Sequence, residues 1–270
     1  MTVRWIFCLL ILALLPVQTK PWLRADEPPS RQITQVSVIN ALMLGQYDGT
    51  TRLGDVLTWG NFGLGTVDHL DGELIILDGQ AYQARSDGTV HPCKPDMTTP
   101  FAMVTSFSDD LQRDCPPAGT LEELEQALQP ILPQPNLFVA VRIHATFDRM
   151  VLRAVPRQTP PYRPLAEVVK QQAQWSREQI PGTLIGIRCP NWVTGMSVPG
   201  FHWHFLSDDR QTGGHVFDCR LSSGTLAFTP CDTWVIRLSD QLGVGTGDLG
   251  QDLQKELDQV ERQRGLKPAQ

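Results

Sequence analysis

Long apolar runs and blocks of like charge are scarce in this 270-residue sequence. Beyond residue 25, no apolar run approaches the roughly 20 residues that a membrane-spanning helix needs. The 23 lysines and arginines are mixed along the chain with 29 aspartates and glutamates, and the formal net charge is −6. Because there is no basic block, we expect the folded chain to bind neither nucleic acid nor an anionic membrane surface.

Cysteine is also sparse, and its spacing excludes two common uses. The sequence has six cysteines, and Cys8 lies in the N-terminal segment. The other five are widely scattered, without a C-x-x-C pair: Cys93, Cys115, Cys189, Cys219 and Cys231. An odd, scattered set of this kind is not a disulfide scaffold. The sequence leaves open whether Cys93 and Cys115 form a bridge in an oxidising compartment.

Residues 1–25 have the layout of a secretory signal peptide. Arg4 precedes an apolar run from Trp5 to Leu15, and polar residues and prolines follow it. That run is too short to cross a bilayer comfortably, which favours a cleaved leader over a membrane anchor. We therefore expect export to the periplasm or the extracellular medium. An uncleaved N-terminal anchor is the alternative.

The rest of the chain predicts an α/β protein of the α+β kind, with two β-sheet domains and a few flanking helices. Its short β-like runs predict mixed and antiparallel sheets, and Asp-Gly pairs at 71–72, 78–79 and 87–88 predict a meander of hairpins. The proline-rich segment 156–164 is the expected linker. It separates an N-terminal sheet domain (31–155) from a C-terminal sheet domain that ends in a helix (165–263).

Several element boundaries can be predicted from local signals. Thr120 and Glu123 form a capping box that opens a helix ending before Pro130. Asp148-Arg149 is predicted to turn a hairpin between apolar runs. Helical spacing is predicted for 51–59 and 165–175. A C-terminal helix from about Asp248 has an apolar stripe of Leu249, Leu253, Leu257 and Val260.

Three of the six histidines fall within fourteen residues, at His202, His204 and His215. The first two are separated by one residue in a strand-like run, so their side chains share a face and Trp203 lies on the other. If the polar stretch from Ser207 to Thr212 closes an antiparallel hairpin, His215 returns beside His204, although a one-residue shift would turn it away. Three imidazoles on one face of the C-terminal sheet suit Zn²⁺ with one open coordination position. Packed structural histidines are the alternative.

Two charged residues cannot be assigned from composition alone. Glu73 follows a predicted turn, where a carboxylate is by default solvated. Arg153 lies inside an apolar run, so it either flanks a pocket or extends its charged end to solvent.

Three blocks of sequence together resemble the alpha-acetolactate decarboxylase family. They are G-L-G-T-V-D-H-L-D-G-E-L from Gly63, S-D-G-T from Ser86, and H-x-H-F-L-S-D-D-R-x-x-G-G-H from His202 to His215. The similarity extends from about Ile33 to Glu261 and includes N-A-L-x-x-G-x-Y-D-G from Asn40. The histidine block is the most specific of them.

The resemblance implies zinc-dependent decarboxylation of (S)-2-acetolactate to (R)-acetoin and CO₂, in the acetoin/butanediol pathway. It implies Zn²⁺ on His202, His204 and His215, with a Lewis-acid role for the charge left after CO₂ departs. It further places four catalytic residues in the pocket: Thr66, Glu73, Arg153 and Glu261. Glu261 is the glutamate of the C-terminal helix, and Glu256 is the alternative to it. The substrate is a small molecule, and a homodimer is compatible with the resemblance.

Two other functions compete with this interpretation. A strand with G-x-H-x-H is also how a cupin-type metalloenzyme begins, but the glutamate expected after its second histidine is replaced here by Ser207, Asp208 and Asp209. A non-catalytic exported zinc-binding protein would account for the histidines, but not for Glu73 and Arg153.

Overall fold

The structure, a computed structural model, describes residues 31–109, 111–238 and 247–262. The predicted signal peptide at 1–25 lies outside these residues. Within them, none of the helices has the length and apolar character needed to cross a bilayer.

Strands dominate the fold, and the helices are short. The strands are β1 (Gln32–Val36), β2 (Thr51–Arg52), β3 (Phe62–Thr66), β4 (Glu73–Leu77), β5 (Gln80–Ala84), β6 (Val90–Pro92), β7 (Thr98–Thr99), β8 (Phe101–Thr105), β9 (Gln112–Cys115), β10 (Phe138–Ala154), β11 (Ala173–Cys189), β12 (Gly200–Ser207), β13 (Gly213–Arg220), β14 (Gly224–Cys231) and β15 (Thr233–Arg237). The helices are α1 (Ile39–Met43), α2 (Leu53–Val56), α3 (Leu121–Leu128), α4 (Leu165–Val168) and α5 (Gln254–Arg262), with 3₁₀ turns at Asp68–Leu70, Val169–Gln171 and Asn191–Val193.

The first large sheet has seven strands in the order β15-β1-β8-β3-β4-β5-β6. Its β1–β15 pair is parallel and its other pairs are antiparallel, so the sheet is mixed, as predicted. The predicted meander is formed by β3 to β6. Its turn glycines Gly72, Gly79 and Gly88 have φ of +83°, +77° and +83°, the left-handed region that glycine adopts without strain.

The second large sheet has six strands in the order β11-β12-β13-β10-β14-β9. An additional pairing of β10 with β11 closes β10, β11, β12 and β13 into a ring. The prediction of a hairpin turn at Asp148-Arg149 is wrong, because both residues lie inside β10, a single strand of 17 residues. Arg149 and Met150 pair with β11 on one side and β13 on the other, so the ladders override the turn propensity of Asp148.

The two sheets do not follow the predicted division at 156–164. β9 and β10 precede that segment, yet both belong to the six-stranded sheet, whereas β15 follows it and pairs with β1. The apolar cluster between the sheets likewise combines Ile33 and Phe101 with Ile187, Cys231 and Leu257. Strand pairing, rather than chain order, therefore decides which sheet each segment joins.

Two predicted helices are shorter in the structure. The segment 165–175 is α4 followed by a 3₁₀ turn, and Ala173 already pairs with Ala154 in the β11–β10 ladder. The segment 51–59 forms a two-residue strand and then α2. The capping box is confirmed: the Thr120 Oγ1 accepts a hydrogen bond of 3.1 Å from the Glu123 amide, and Glu123 Oε2 accepts one of 2.8 Å from the Gly119 amide. All five described cysteines are free, and Cys93 and Cys115 lie beside different sheets.

Candidate active site

The three histidines lie together on one face of the β12–β13 hairpin. His202 and His204 are two residues apart on β12, and His204 is directly opposite His215 on β13. This register is the one that the metal hypothesis required. Trp203 lies on the other face, where its ring covers Gly186: a Cβ at Gly186 would stand 2.1 Å from that ring. A larger residue at 186 would therefore displace Trp203 and the strand that positions the histidines.

The imidazoles face one another at short range. Their ring centroids are 5.0 to 5.5 Å apart, and one nitrogen of each ring lies within 4.8 Å of the others. His202 Nε2 is 3.2 Å from His215 Nδ1. His204 Nδ1 lies 2.9 Å from the Leu74 carbonyl, to which it donates, so its Nε2 carries the lone pair. That Nε2 is buried and has no hydrogen-bond partner among the described residues.

All three rings are electrically neutral at ordinary pH. Burial, followed by the nearby Arg153 charge, lowers the pKa of His202 to about 3. Burial also holds the pKa values of His204 and His215 well below the usual range. Neutral imidazoles that each bring one nitrogen within 4.8 Å of the others are ligands that Zn²⁺ and related cations accept. The residues therefore fit a metal, and the unpartnered Nε2 of His204 is the specific observation that supports this fit.

Glu73 and Thr66 reach the histidines from the other sheet. They lie opposite each other at the end of the β3–β4 hairpin, so their side chains share a face. Glu73 Oε2 lies 3.4 Å from His204 Nε2. Thr66 Oγ1 donates to the Gly72 carbonyl at 2.8 Å, which ties it to the turn before Glu73. Burial raises the pKa of Glu73 to about 8, so this carboxyl holds its proton at neutral pH.

Arg153 does not extend to solvent but points into the site. It lies directly opposite His215 in the β10–β13 pair and is 4% exposed. One terminal nitrogen, Nη2, is 2.9 Å from His215 Nε2, and the other, Nη1, donates to Gln172 Oε1 at 2.8 Å. The guanidinium is thus held by two neutral acceptors.

The C-terminal helix supplies Glu261, not Glu256. Glu261 Oε2 lies 3.6 Å from His215 Nε2, 3.8 Å from His202 Nε2 and 3.9 Å from Arg153 Nη2. Glu256 is exposed. Five residues along an α-helix rotate the side chain by about 140° from the starting face, so only one of the two can face the site. The buried Leu257 and Val260 hold α5 in this orientation.

These groups border one small pocket with a mostly apolar wall. Its polar lining is Thr66, Glu73, Arg153, His202, His215 and Glu261, and its apolar lining is Ile39, Leu42, Leu70, Phe101, Val155, Leu165, Val169 and Val260. A second cavity of about 560 Å³ also reaches His215 and Glu261 and is bordered by α3. Gln172, which the sequence did not single out, contacts Arg153 directly. It is one of three glutamines, with Gln171 and Gln174, inside the segment predicted to be helical, so no local signal distinguishes it. His69 lies elsewhere, with Asp48, Asp68 and Tyr162.

The fold and this pocket define a candidate metalloenzyme, with a buried cluster of three histidines beside one arginine and two glutamate side chains. The family model for alpha-acetolactate decarboxylase matches residues 33–249. The chain belongs to the alpha-acetolactate decarboxylase family and is an enzyme that decarboxylates acetolactate.

Named relatives support the same assignment. The alpha-acetolactate decarboxylase of Methanosarcina mazei is 42% identical over 228 residues, which is 84% of this chain and 79% of that protein. The Bacillus subtilis protein of the same name is 36% identical over 237 residues, 87% of this chain and 92% of its own length. A crystal structure of the decarboxylase from Bacillus subtilis superposes with a TM-score of 0.82 at 36% identity, covering 86% of this chain and 99% of that one. Membership of this family replaces both the cupin and the non-catalytic interpretations.

Proposed function

We propose that the chain is a zinc-dependent decarboxylase that converts (S)-2-acetolactate to (R)-acetoin and CO₂ and so produces acetoin. The observation that carries the zinc assignment is the cluster of three neutral histidines, with an unpartnered Nε2 on His204. An all-nitrogen set with carboxylates just outside it favours Zn²⁺ over Mg²⁺ or Ca²⁺, which prefer oxygen ligands.

The substrate requires two things of the pocket. Its carboxylate must be held, and the negative charge left when the C–C bond breaks must be stabilised. Zn²⁺ bound by His202, His204 and His215 would supply a Lewis acid for that charge. The protein itself supplies a fixed cation, two carboxyl groups that can carry protons, and an apolar wall that excludes water.

Arg153 is the group best suited to bind the substrate carboxylate. Its planar guanidinium can form paired hydrogen bonds, and Gln172 and His215 hold it in one orientation. Protonation on a single face of the product carbon requires a donor that cannot rotate away. Arg153 meets this condition, as does Glu73, a buried carboxyl whose Oε2 lies 3.4 Å from His204 Nε2. Glu261, 3.6 Å from His215 Nε2 and 3.8 Å from His202 Nε2, is the remaining group that can carry a proton.

Export is a separate proposal, supported by the N-terminal charge and apolar pattern alone. A small, diffusible substrate is compatible with an enzyme outside the cytoplasm.

The decisive experiment combines purified, zinc-loaded protein with racemic acetolactate. We expect acetoin and CO₂ in equal amounts, with one acetoin enantiomer in excess, and loss of both products after chelation and their recovery when Zn²⁺ is returned. Full activity in the chelated, metal-free protein would overturn the zinc proposal, and racemic acetoin would overturn the stereochemical one.

A further inference from the structure

We propose that Gln172 is a positioning residue for this reaction: it holds the Arg153 guanidinium toward the substrate carboxylate without neutralising its charge. Gln172 precedes β11 and lies just beyond the end of the ladder in which Arg153 pairs with Gln174. Its Oε1 accepts a hydrogen bond of 2.8 Å from Arg153 Nη1. Gln172 does not border the small pocket, so it acts through Arg153 rather than by direct contact with a ligand there.

The backbone around Gln172 explains how a loop residue can hold a side chain in one place. Its amide donates to the Val169 carbonyl at 3.1 Å, which closes the 3₁₀ turn at Val169–Gln171. Its φ and ψ of −61° and 141° are already extended, so β11 begins at the next residue. Gln172 is therefore anchored by a turn on one side and by the longest ladder of the fold on the other.

Metal binding makes this contact more important. Arg153 has two close acceptors, Gln172 Oε1 and His215 Nε2. A metal on His215 uses a lone pair of one ring nitrogen. If that nitrogen is Nε2, its lone pair is no longer available; if it is Nδ1, then Nε2 carries the proton. In both cases His215 stops accepting from Arg153, and Gln172 Oε1 is the acceptor that remains within hydrogen-bond distance among the described residues.

The neutrality of the glutamine matters as much as its position. Arg153 is the one permanent cation among the described residues bordering the pocket, and Glu73 and Glu261 already stand near it. A carboxylate at 172 would form a charge-assisted, paired contact with the guanidinium and would compete with the substrate carboxylate. A glutamine orients the guanidinium and leaves its charge for the substrate.

The test uses Gln172→Glu and Gln172→Leu in the zinc-loaded enzyme, with Gln171→Glu as the matched control. Gln171 is exposed and its Oε1 accepts from Arg163, so the control adds the same charge one residue away, outside the pocket. We expect Gln172→Glu to raise KM about tenfold or more, because it competes for Arg153 in a buried setting. Gln172→Leu should lower kcat about tenfold, since the guanidinium loses its orientation. The control should match the parent enzyme, and all variants should retain zinc.

A binding measurement separates positioning from general structural damage. The probes are 2-hydroxy-2-methylpropanoate, which has the hydroxyl and carboxylate but no ketone to accept charge, and its neutral amide. Gln172→Glu should weaken binding of the acid about tenfold and leave binding of the amide unchanged. Equal effects on acid and amide, or parent-like kinetics in both variants, would overturn the proposal.

This inference depends on the proposed role of Arg153, so Arg153→Lys is measured beside it. Parent-like turnover of Arg153→Lys would refute the role of Arg153 itself. An impaired Arg153→Lys enzyme together with unchanged acid-to-amide preference in Gln172→Glu would refute only the role of Gln172.

Discussion

At the scale of single residues, the histidine cluster depends on one tautomer being fixed. The Leu74 carbonyl accepts a hydrogen bond from the Nδ1–H of His204, so Nε2 carries the lone pair. A backbone carbonyl of this kind orients a ligand histidine and raises its basicity. Because the carbonyl belongs to β4 and the histidine to β12, the histidine cluster is oriented where the two sheets meet.

The first prediction is that His202→Ala and His215→Ala each lose bound zinc. Each substitution leaves two imidazoles, too few for a stable site at micromolar protein concentration. Metal analysis after dialysis measures the result. His144→Ala is the control, because His144 is exposed and pairs with Asp208 away from the pocket, so it should retain zinc. Full zinc in His215→Ala would mean that the β12–β13 register does not bring His215 to the metal.

The second prediction concerns Arg153 and Glu73, which should affect turnover more than metal content. Arg153→Lys retains a charge but loses the planar fork, and Glu73→Gln removes a proton-carrying group. We expect kcat/KM to fall about a hundredfold or more in each, the scale of losing a positioned proton-transfer or charged group.

The double variant provides a further check on this pair. The charge of Arg153 lowers the pKa of Glu73 against the dominant effect of burial, so the two groups interact. Their effects on kcat/KM should therefore be less than additive. Strict additivity with retained zinc would show that Glu73 and Arg153 act independently.

At the scale of secondary-structure elements, α5 is the part of the site with the least support from β-ladders. It places Glu261 beside the histidines through two buried side chains, Leu257 and Val260, packed on a cluster that includes Ile39 and Leu165. Glu261 borders both the small pocket and the larger cavity. Movement of α5 would therefore remove a carboxyl group from the site.

The third prediction tests that dependence with Leu257→Ala. Truncating a leucine that is 2% exposed removes about 2–5 kcal/mol of packing free energy. Because α5 contacts the core through few residues, we expect most of the loss to appear as undocking of α5 rather than as global unfolding. Thus kcat/KM should fall about tenfold or more, while zinc content is retained.

Hydrogen exchange at the α5 amides, compared with those of β12, measures the undocking directly. Gln259→Ala is the control, since Gln259 is exposed on the same helix and its loss should change neither exchange nor activity. Equal loss of protection in α5 and β12 after Leu257→Ala would indicate global destabilisation instead.

At the scale of the whole molecule, two sheets contribute to one site, and their order along the chain is interleaved. Thr66 and Glu73 come from the seven-stranded sheet, and Arg153 and the three histidines come from the six-stranded sheet. Neither sheet alone contains the full set of polar groups. Catalytic activity should therefore be lost whenever the two sheets separate, even if each retains its strands.

The fourth prediction concerns the N-terminal segment and export. Arg4 and the apolar run from Trp5 to Leu15 predict cleavage, so mass spectrometry of protein from its own cells should find an N-terminus between about Lys20 and Ser30. Fractionation should place the activity outside the cytoplasm. An intact Met1 in a membrane fraction would favour the anchor, and an intact Met1 in the cytoplasm would exclude export.

The sequence by itself determined the features that depend on short-range pattern. The two-residue period placed His202 and His204 on one face with Trp203 on the other, and the Asp-Gly pairs predicted the β3–β6 meander. The capping box at Thr120 could also be predicted from the sequence, because its hydrogen bonds join residues only three or four positions apart. The specific histidine block pointed to the family for the same reason: its members are contiguous.

Only the tertiary structure decided the features that depend on partners distant in the chain. β10 runs through a turn-like Asp148 because ladders on both sides stabilise the extended backbone, and Ala173 joins β11 because Ala154 lies opposite. Gln172 hydrogen-bonds to Arg153, and the Leu74 carbonyl to His204, although the partners are 19 and 130 residues apart in the sequence. No local sequence pattern predicts such contacts. The choice of Glu261 over Glu256 likewise followed from which face of α5 buries Leu257 and Val260. Long-range pairing and packing free energies outweigh local propensities of a few tenths of a kcal/mol, so these features can be assigned only once the fold is known.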